Sequence, residues 1–120
     1  MIELKKYFPN LSHVQLKQFK RLFPIYNDWN SKVNLISRRD IENLFINHIL
    51  HSLSIVNIIK FKDTSSILDV GTGGGFPGIP LAIFFPNVKF TLLDSIGKKI
   101  KVVESVSKDL SLTNVTAIND

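Results

Sequence analysis

The stretch Asp69-Val-Gly-Thr-Gly-Gly-Gly-Phe-Pro-Gly-Ile-Pro80 holds five of the chain's six glycines and constrains the fold more than any other part of the sequence. It follows a short apolar run, Ile67-Leu-Asp-Val70, and leads into a second one, Phe76 to Phe85, with helical spacing. Glycines packed this densely let backbone come close to a ligand, most often a nucleotide. A strand, a glycine turn and a helix in that order make one unit of an α/β sheet, whose ligands sit at the carboxyl ends of the strands.

The same alternation continues downstream. Val88-Lys-Phe-Thr-Leu-Leu93 reads as a second strand ending at Asp94. Ile96, Ile100, Val103, Val106 and Leu110 recur as the apolar face of a helix, Thr113-Asn114 is a turn, and Val115-Thr-Ala-Ile118 is a third strand. This order predicts a parallel sheet with right-handed crossovers. The sequence stops directly after the third strand, where an open sheet would normally continue to protect its edge. Residues 63–120 are therefore expected to be the first half of an α/β domain.

Residues 1–62 read differently, as a small helical layer. Ser12-His-Val-Gln15 has the form of a capping box, and Leu16, Phe19, Leu22, Phe23, Tyr26 and Trp29 then recur at helical spacing, with Trp29 expected in the core. Pro24 removes one backbone donor and should kink this helix or split it near Phe23. After a polar link at Asn30-Ser-Lys-Val-Asn34, Asp40 opens a second helical pattern with Ile41, Leu44, Phe45, His48, Ser52, Leu53 and Val56 on one face.

Composition narrows the chemistry. The chain has no cysteine, which excludes disulfides, thiolate zinc sites and a cysteine nucleophile. No apolar stretch approaches the length of a membrane span, and Met1-Ile-Glu-Leu-Lys-Lys has no apolar core behind it, so a cytoplasmic protein without a membrane partner is expected. Lysine and arginine outnumber aspartate and glutamate by 15 to 10, a net charge of +5 compatible with a polyanionic partner.

Three nucleotide sites compete for the glycine cluster. A phosphate-binding Walker loop is excluded, because Ile79-Pro80 occupies the positions where the lysine and hydroxyl would stand. A dinucleotide fingerprint fits Gly73, Gly75 and Gly78 with Asp94 as the ribose acid, and would make the chain part of an NAD- or FAD-dependent oxidoreductase. The third register is Asp69-x-Gly71-x-Gly73-x-Gly75. There Asp69 closes the first strand facing the ligand and Asp94 closes the second, where it can accept bonds from ribose hydroxyls. An acid at each strand end suits a cationic adenosyl amino acid, S-adenosylmethionine, better than a pyrophosphate; both readings remain open on the residues alone.

The run Asp69 to Leu81, followed by Leu92-Leu-Asp-Ser95 and Gly97-Lys-Lys99, resembles the ribosomal RNA small subunit methyltransferase G family, also called glucose-inhibited division protein B. Upstream, Trp29-Asn30, Asn34-Leu35, Arg39-Asp40 and His48-Ile-Leu-His-Ser-Leu53 fit the same family in order. The resemblance implies a Rossmann-like methyltransferase fold. It further implies S-adenosylmethionine as donor and N7 of a guanine in bacterial 16S ribosomal RNA, or the small ribosomal subunit, as acceptor. Carried over by position, Gly71 and Phe76 line the donor site with Asp69, Gly73, Gly75 and Asp94 beside them. His51 stands where the family usually has aspartate, and Lys99 where arginine is common; neither belongs to the glycine loop. Family members continue beyond the third strand with further donor contacts, so the chain is expected to be a fragment.

Guanine N7 carries a lone pair and no proton, so methylation needs no obligatory base, and the lack of a catalytic triad or carboxylate pair is expected. No catalytic residue is assigned. His48 and His51 are three apart, but no third metal ligand is evident and no metal is expected. Candidate contacts to RNA phosphates are Arg38, Arg39, Lys98 and Lys99, with Lys17, Lys20, Arg21 and Lys101 as further basic positions. Lysines at a helix start oppose the helix dipole, which favours a phosphate-facing role at Lys98 and Lys99. The expected protein is a monomer. A non-catalytic RNA-binding fragment of such an enzyme remains the other reading.

Overall fold

The computed structural model describes residues 4–33, 43 and 45–120. A short helix α1 (Leu4–Tyr7) precedes the long helix α2 (His13–Lys32). A π-helical turn (Phe45–Ile49) runs directly into α3 (Leu50–Ser54) and a 3-10 turn (Ile55–Asn57). The α/β part follows as β1 (Ser66–Val70), α4 (Gly78–Phe84), β2 (Lys89–Asp94), α5 (Gly97–Asp109) and β3 (Val115–Asn119). The three strands form a parallel sheet in the order β1-β2-β3. The expected α/β fold with a helical layer before a three-stranded parallel sheet is what the chain adopts.

The capping box forms as expected: the Gln15 amide donates to Ser12 Oγ at 3.1 Å and the Ser12 amide to Gln15 Oε1 at 2.8 Å. Pro24 does not split α2, which runs unbroken through it. Pro24 and Lys20 both face solvent, so the Lys20 carbonyl that loses its donor is open to water, while burial of Tyr26 on the opposite face holds the helix together. Nor is Asn30 to Lys32 a link; α2 includes these residues and Asn30 is buried. The calls at Asn34, Leu35, Arg38, Arg39, Asp40, Ile41 and Leu44 lie outside the described residues.

In the next helical stretch Ser52, Leu53 and Val56 are buried as the pattern predicts, but Ile49 is buried in place of His48, which is exposed. Ile49 stands four and seven residues before Leu53 and Val56, in line with the buried side of the stretch, and its apolar side chain takes the core place. Phe76 is likewise outside its predicted helix. Its amide closes a turn onto the Thr72 carbonyl at 3.1 Å, and α4 begins only at Gly78.

Register places Ile67, Asp69, Phe90, Leu92, Val115 and Ala117 on one face of the sheet. That face is covered by α4 and α5, with Phe90 and Leu92 fully buried. The same hydrophobic core continues into Phe19, Leu22 and Tyr26 of α2 and Ile49 and Leu53 beyond it. Burying Phe19 or Leu22 contributes about 1.5–3 kcal/mol each. The opposite face carries Leu68, Val70 and Ile118, exposed to 61%, 68% and 40%. Parallel sheets are ordinarily covered on both faces; here one is open among the described residues.

Candidate functional site

Where β1 ends, the chain turns over the carboxyl edge of the sheet and is bonded to its neighbour. The Gly71 and Thr72 amides both donate to the Leu93 carbonyl, at 2.9 and 3.0 Å. Thr72 is buried, and its carbonyl accepts the Gly75 and Phe76 amides at 3.0 and 3.1 Å. Its Oγ1 donates to Asp69 Oδ2 at 2.8 Å, and the Gly78 amide, at the start of α4, donates to the same oxygen at 3.1 Å. Asp69 thus braces the turn from beneath. Burial pushes its pKa up, opposed by the bonds from Thr72 and Gly78.

Gly71, Gly73 and Gly75 all have positive φ, at 72°, 60° and 111°. Two of them show why glycine is needed for different reasons. A Cβ on Gly73 would meet nothing within 4 Å, so that side of the turn is open space. A Cβ on Gly75 would lie 2.6 Å from Ile79 Cγ1 and 2.9 Å from Tyr26 Oη, closer than atoms pack. Gly71 and Gly73 border open space, and Gly75 leaves room for the protein itself.

Asp94 closes β2 beside the turn. Its Oδ1 accepts the Ile96 amide at 2.8 Å and its Oδ2 the Gly73 amide at 2.9 Å. The Ile96 amide above all, helped by the Gly73 amide, the Lys99 ammonium and the Ser95 amide, outweighs the opposing effect of burial and holds this carboxyl below its ordinary range. A carboxylate offers about four acceptor positions, more than the backbone amides of Gly73, Ser95 and Ile96 take up, so it retains capacity for a further donor. Asp94 can therefore fix the turn and accept a ligand hydroxyl together.

The helical layer also reaches the turn. Tyr26 of α2 is buried, and its hydroxyl donates to the Gly74 carbonyl at 2.7 Å. The Phe76 ring lies between two others, with centroids 4.9 Å from Tyr26 and 5.6 Å from His48. The structure thus brings Asp69, Gly71, Gly73, Gly75, Phe76 and Asp94 into one turn and its supports. Lys98 and Lys99 begin α5 directly after Asp94. Arg38 and Arg39 lie outside the described residues. Trp29 packs partly buried against the core, with Lys32 Nζ 5.3 Å from its ring centroid.

Sequence reasoning missed two of the residues that shape this turn. Thr72 had a readable signal, since a hydroxyl three residues after a strand-end aspartate is placed to close a local turn. Tyr26 had none beyond its place on an apolar helix face, because its partner is a backbone carbonyl 48 residues away.

A parallel sheet with a glycine turn at its carboxyl edge, and an acid closing each of the first two strands, is the arrangement of a Rossmann-like α/β domain consistent with the methyltransferase fold. A family profile described as GidB, rRNA small subunit methyltransferase G, matches residues 15–120, and the chain belongs to that family. It is 60% identical over 113 residues to a ribosomal RNA small subunit methyltransferase G of Bacteroides fragilis, covering 94% of this chain and 55% of that protein. Proteins of the same name from Christiangramia forsetii and Flavobacterium johnsoniae are 60% identical over 116 residues and 56% over 117. These matches cover 97% and 98% of this chain, and 55% and 56% of the relatives. The chain spans about half the length of the curated relatives it matches. Among the described residues no helix is long and apolar enough to cross a membrane.

Proposed function

We propose that this protein transfers a methyl group from S-adenosylmethionine to N7 of a guanine in bacterial 16S ribosomal RNA, and that this chain supplies the first part of the donor site. One observation carries the donor assignment: the Gly78 amide at the start of α4, where a dinucleotide would place its pyrophosphate, is already bonded to the Asp69 carboxylate. A phosphate there would face that charge at close range, whereas a cationic adenosyl amino acid would not. Membership of the methyltransferase G family supports the same reading against an oxidoreductase.

The residues fit the donor. Gly71 and Gly73 offer open space on their Cα faces, and Asp94 keeps acceptor capacity for a ribose hydroxyl. Phe76 takes a place at the edge of the site by resemblance to the family. When bound, S-adenosylmethionine presents an electrophilic methyl group, which the N7 lone pair accepts with no proton to remove. The work left to the chain is to hold the donor still: Asp69 and Asp94 fix the turn, and the turn fixes the ligand. Arg38, Arg39, Lys98 and Lys99 would meet the RNA backbone. We infer a cytoplasmic monomer whose other partner is the small-subunit RNA.

The test is a calorimetric titration of the whole protein with S-adenosylmethionine, with NADH in a parallel cell. Binding of the first alone, lost in Asp94→Ala, is the expected outcome. Binding of NADH, or undiminished binding in the variant, would overturn the donor assignment.

A further inference from the structure

We infer that Tyr26 is a positioning residue for the glycine turn: its hydroxyl sets the orientation of the Gly74–Gly75 peptide and through it the affinity of the turn for its adenosyl ligand. The inference rests on the donor reading above and adds a residue from the helical layer to that site.

A tyrosine that only filled the core would need its ring and not its hydroxyl. Here the hydroxyl is spent on one acceptor, the Gly74 carbonyl, at 2.7 Å. Gly73, Gly74 and Gly75 are consecutive, and glycines lose more backbone freedom on ordering than any other residue. Such a turn holds one shape only if it is tied from outside. Two side chains do so: Asp94 Oδ2 accepts the Gly73 amide at 2.9 Å, and Tyr26 donates to the next carbonyl.

With that carbonyl fixed, the Gly75 amide is directed back to the Thr72 carbonyl at 3.0 Å. The Tyr26 ring also packs on Phe76, 4.9 Å between centroids, which pins the far end of the turn. Burial pushes the ionisation of the hydroxyl well above its usual range, so it stays a donor. Where part of the population leaves the competent shape, apparent affinity falls in proportion.

The experiment compares Tyr26→Phe with Leu22→Val in the whole protein. Leu22 is buried on the same helix and has no polar group that could bond the turn, so its variant controls for lost core packing. Tyr26→Phe is expected to weaken S-adenosylmethionine binding about threefold to tenfold, the range of one hydrogen bond, and to speed amide exchange at Gly75 and Phe76 in the ligand-free protein. Leu22→Val should lower the melting temperature with affinity unchanged. Equal affinity losses in both variants, or no change in either readout for Tyr26→Phe, would overturn the assignment. If the unaltered protein binds no S-adenosylmethionine, the donor reading fails, and unchanged exchange at Gly75 would then sink the Tyr26 role separately.

Discussion

Alanine at Gly75 and alanine at Gly73 should have different consequences, although both glycines have positive φ. At Gly75, φ is 111° and the added methyl would lie 2.6 Å from Ile79 Cγ1 and 2.9 Å from Tyr26 Oη. Ile79 is fully buried and Tyr26 is hydrogen bonded, so neither can retreat freely. The backbone strain costs about 1–3 kcal/mol and the overpacking about 1–3 kcal/mol more. Against this stands the gain of about 0.4–1 kcal/mol that any Gly→Ala draws from a stiffer unfolded chain. Gly73→Ala keeps only the backbone cost, about 1–2 kcal/mol, less the same gain. Urea unfolding of the two variants should therefore differ by about 1–3 kcal/mol, with Gly75→Ala the weaker and m unchanged. Affinity should invert the severity relative to stability: Gly73→Ala projects its methyl into the open side of the turn and should lose S-adenosylmethionine binding while remaining folded. If Gly75→Ala proved as stable as Gly73→Ala, the close packing described for the turn would be wrong. If Gly73→Ala bound ligand normally, the open space beside it would not be the ligand's.

Three further outcomes follow from the same geometry. Asn114 Nδ2 lies 3.0 Å from each of the Ala82, Phe85 and Val88 carbonyls, so Asn114→Ala should lower the urea-derived stability by about 1–3 kcal/mol; a change within error would mean that water replaces the amide. The two site acids should affect acid unfolding with opposite sign. Asp94 has a lowered folded pKa, so its contribution is present above the unfolded carboxyl value and lost as pH falls through the folded one, and Asp94→Asn should flatten the acid limb. Asp69 has a raised pKa, so the folded state takes its proton first and gains relative stability as pH falls; Asp69→Asn should steepen the limb, and equal slopes in the two variants would contradict both assignments. Finally, if Lys98 meets an RNA phosphate, Lys98→Ala should reduce the slope of log K against log salt by about 0.7–0.9. An unchanged slope removes it from the interface.

The strands and crossover helices were legible because each carries its own periodicity, which a parallel sheet preserves: β2 was read to within a residue and Asp94 was placed at its end. The glycine turn was legible for a different reason, since five glycines in ten residues have few other uses. What could not be read depended on atoms distant in sequence. Nothing local says that Pro24 would be carried through α2 by the burial of Tyr26, whereas the burial of Ile49 was within reach, since it stands four and seven residues before Leu53 and Val56. At Asp69 the strand-end position was legible, but its partners were not: Oδ2 accepts from Thr72 and from Gly78, nine residues on.

The role of α2 explains why a helical layer precedes this sheet. Gln15, Gln18 and Arg21 follow one another at three-residue spacing along the helix, Tyr26 lies on its buried face, and each of the four donates to a backbone carbonyl of the α/β part. Gln15 Nε2 reaches the Ile83 and Phe84 carbonyls at 3.0 and 3.2 Å, at the end of α4. Gln18 Nε2 and Arg21 Nη1 reach Leu110 and Asp109 at 2.9 and 2.7 Å, at the end of α5. Those carbonyls are the acceptors a helix leaves unpaired at its C-terminus, where a cation is also favoured by the dipole. One helix therefore closes the far ends of both crossover helices and, one turn beyond Phe23, ties the glycine turn at the opposite edge of the sheet. The apolar burial of Phe19 and Leu22 supplies the docking energy, and the polar contacts fix the register in which α2 docks. A shift of α2 by one residue would bring Lys20 or Gln18 to the buried place of Phe19 and would also remove the Tyr26 hydroxyl from Gly74, so the precision of the site depends on contacts that lie outside it.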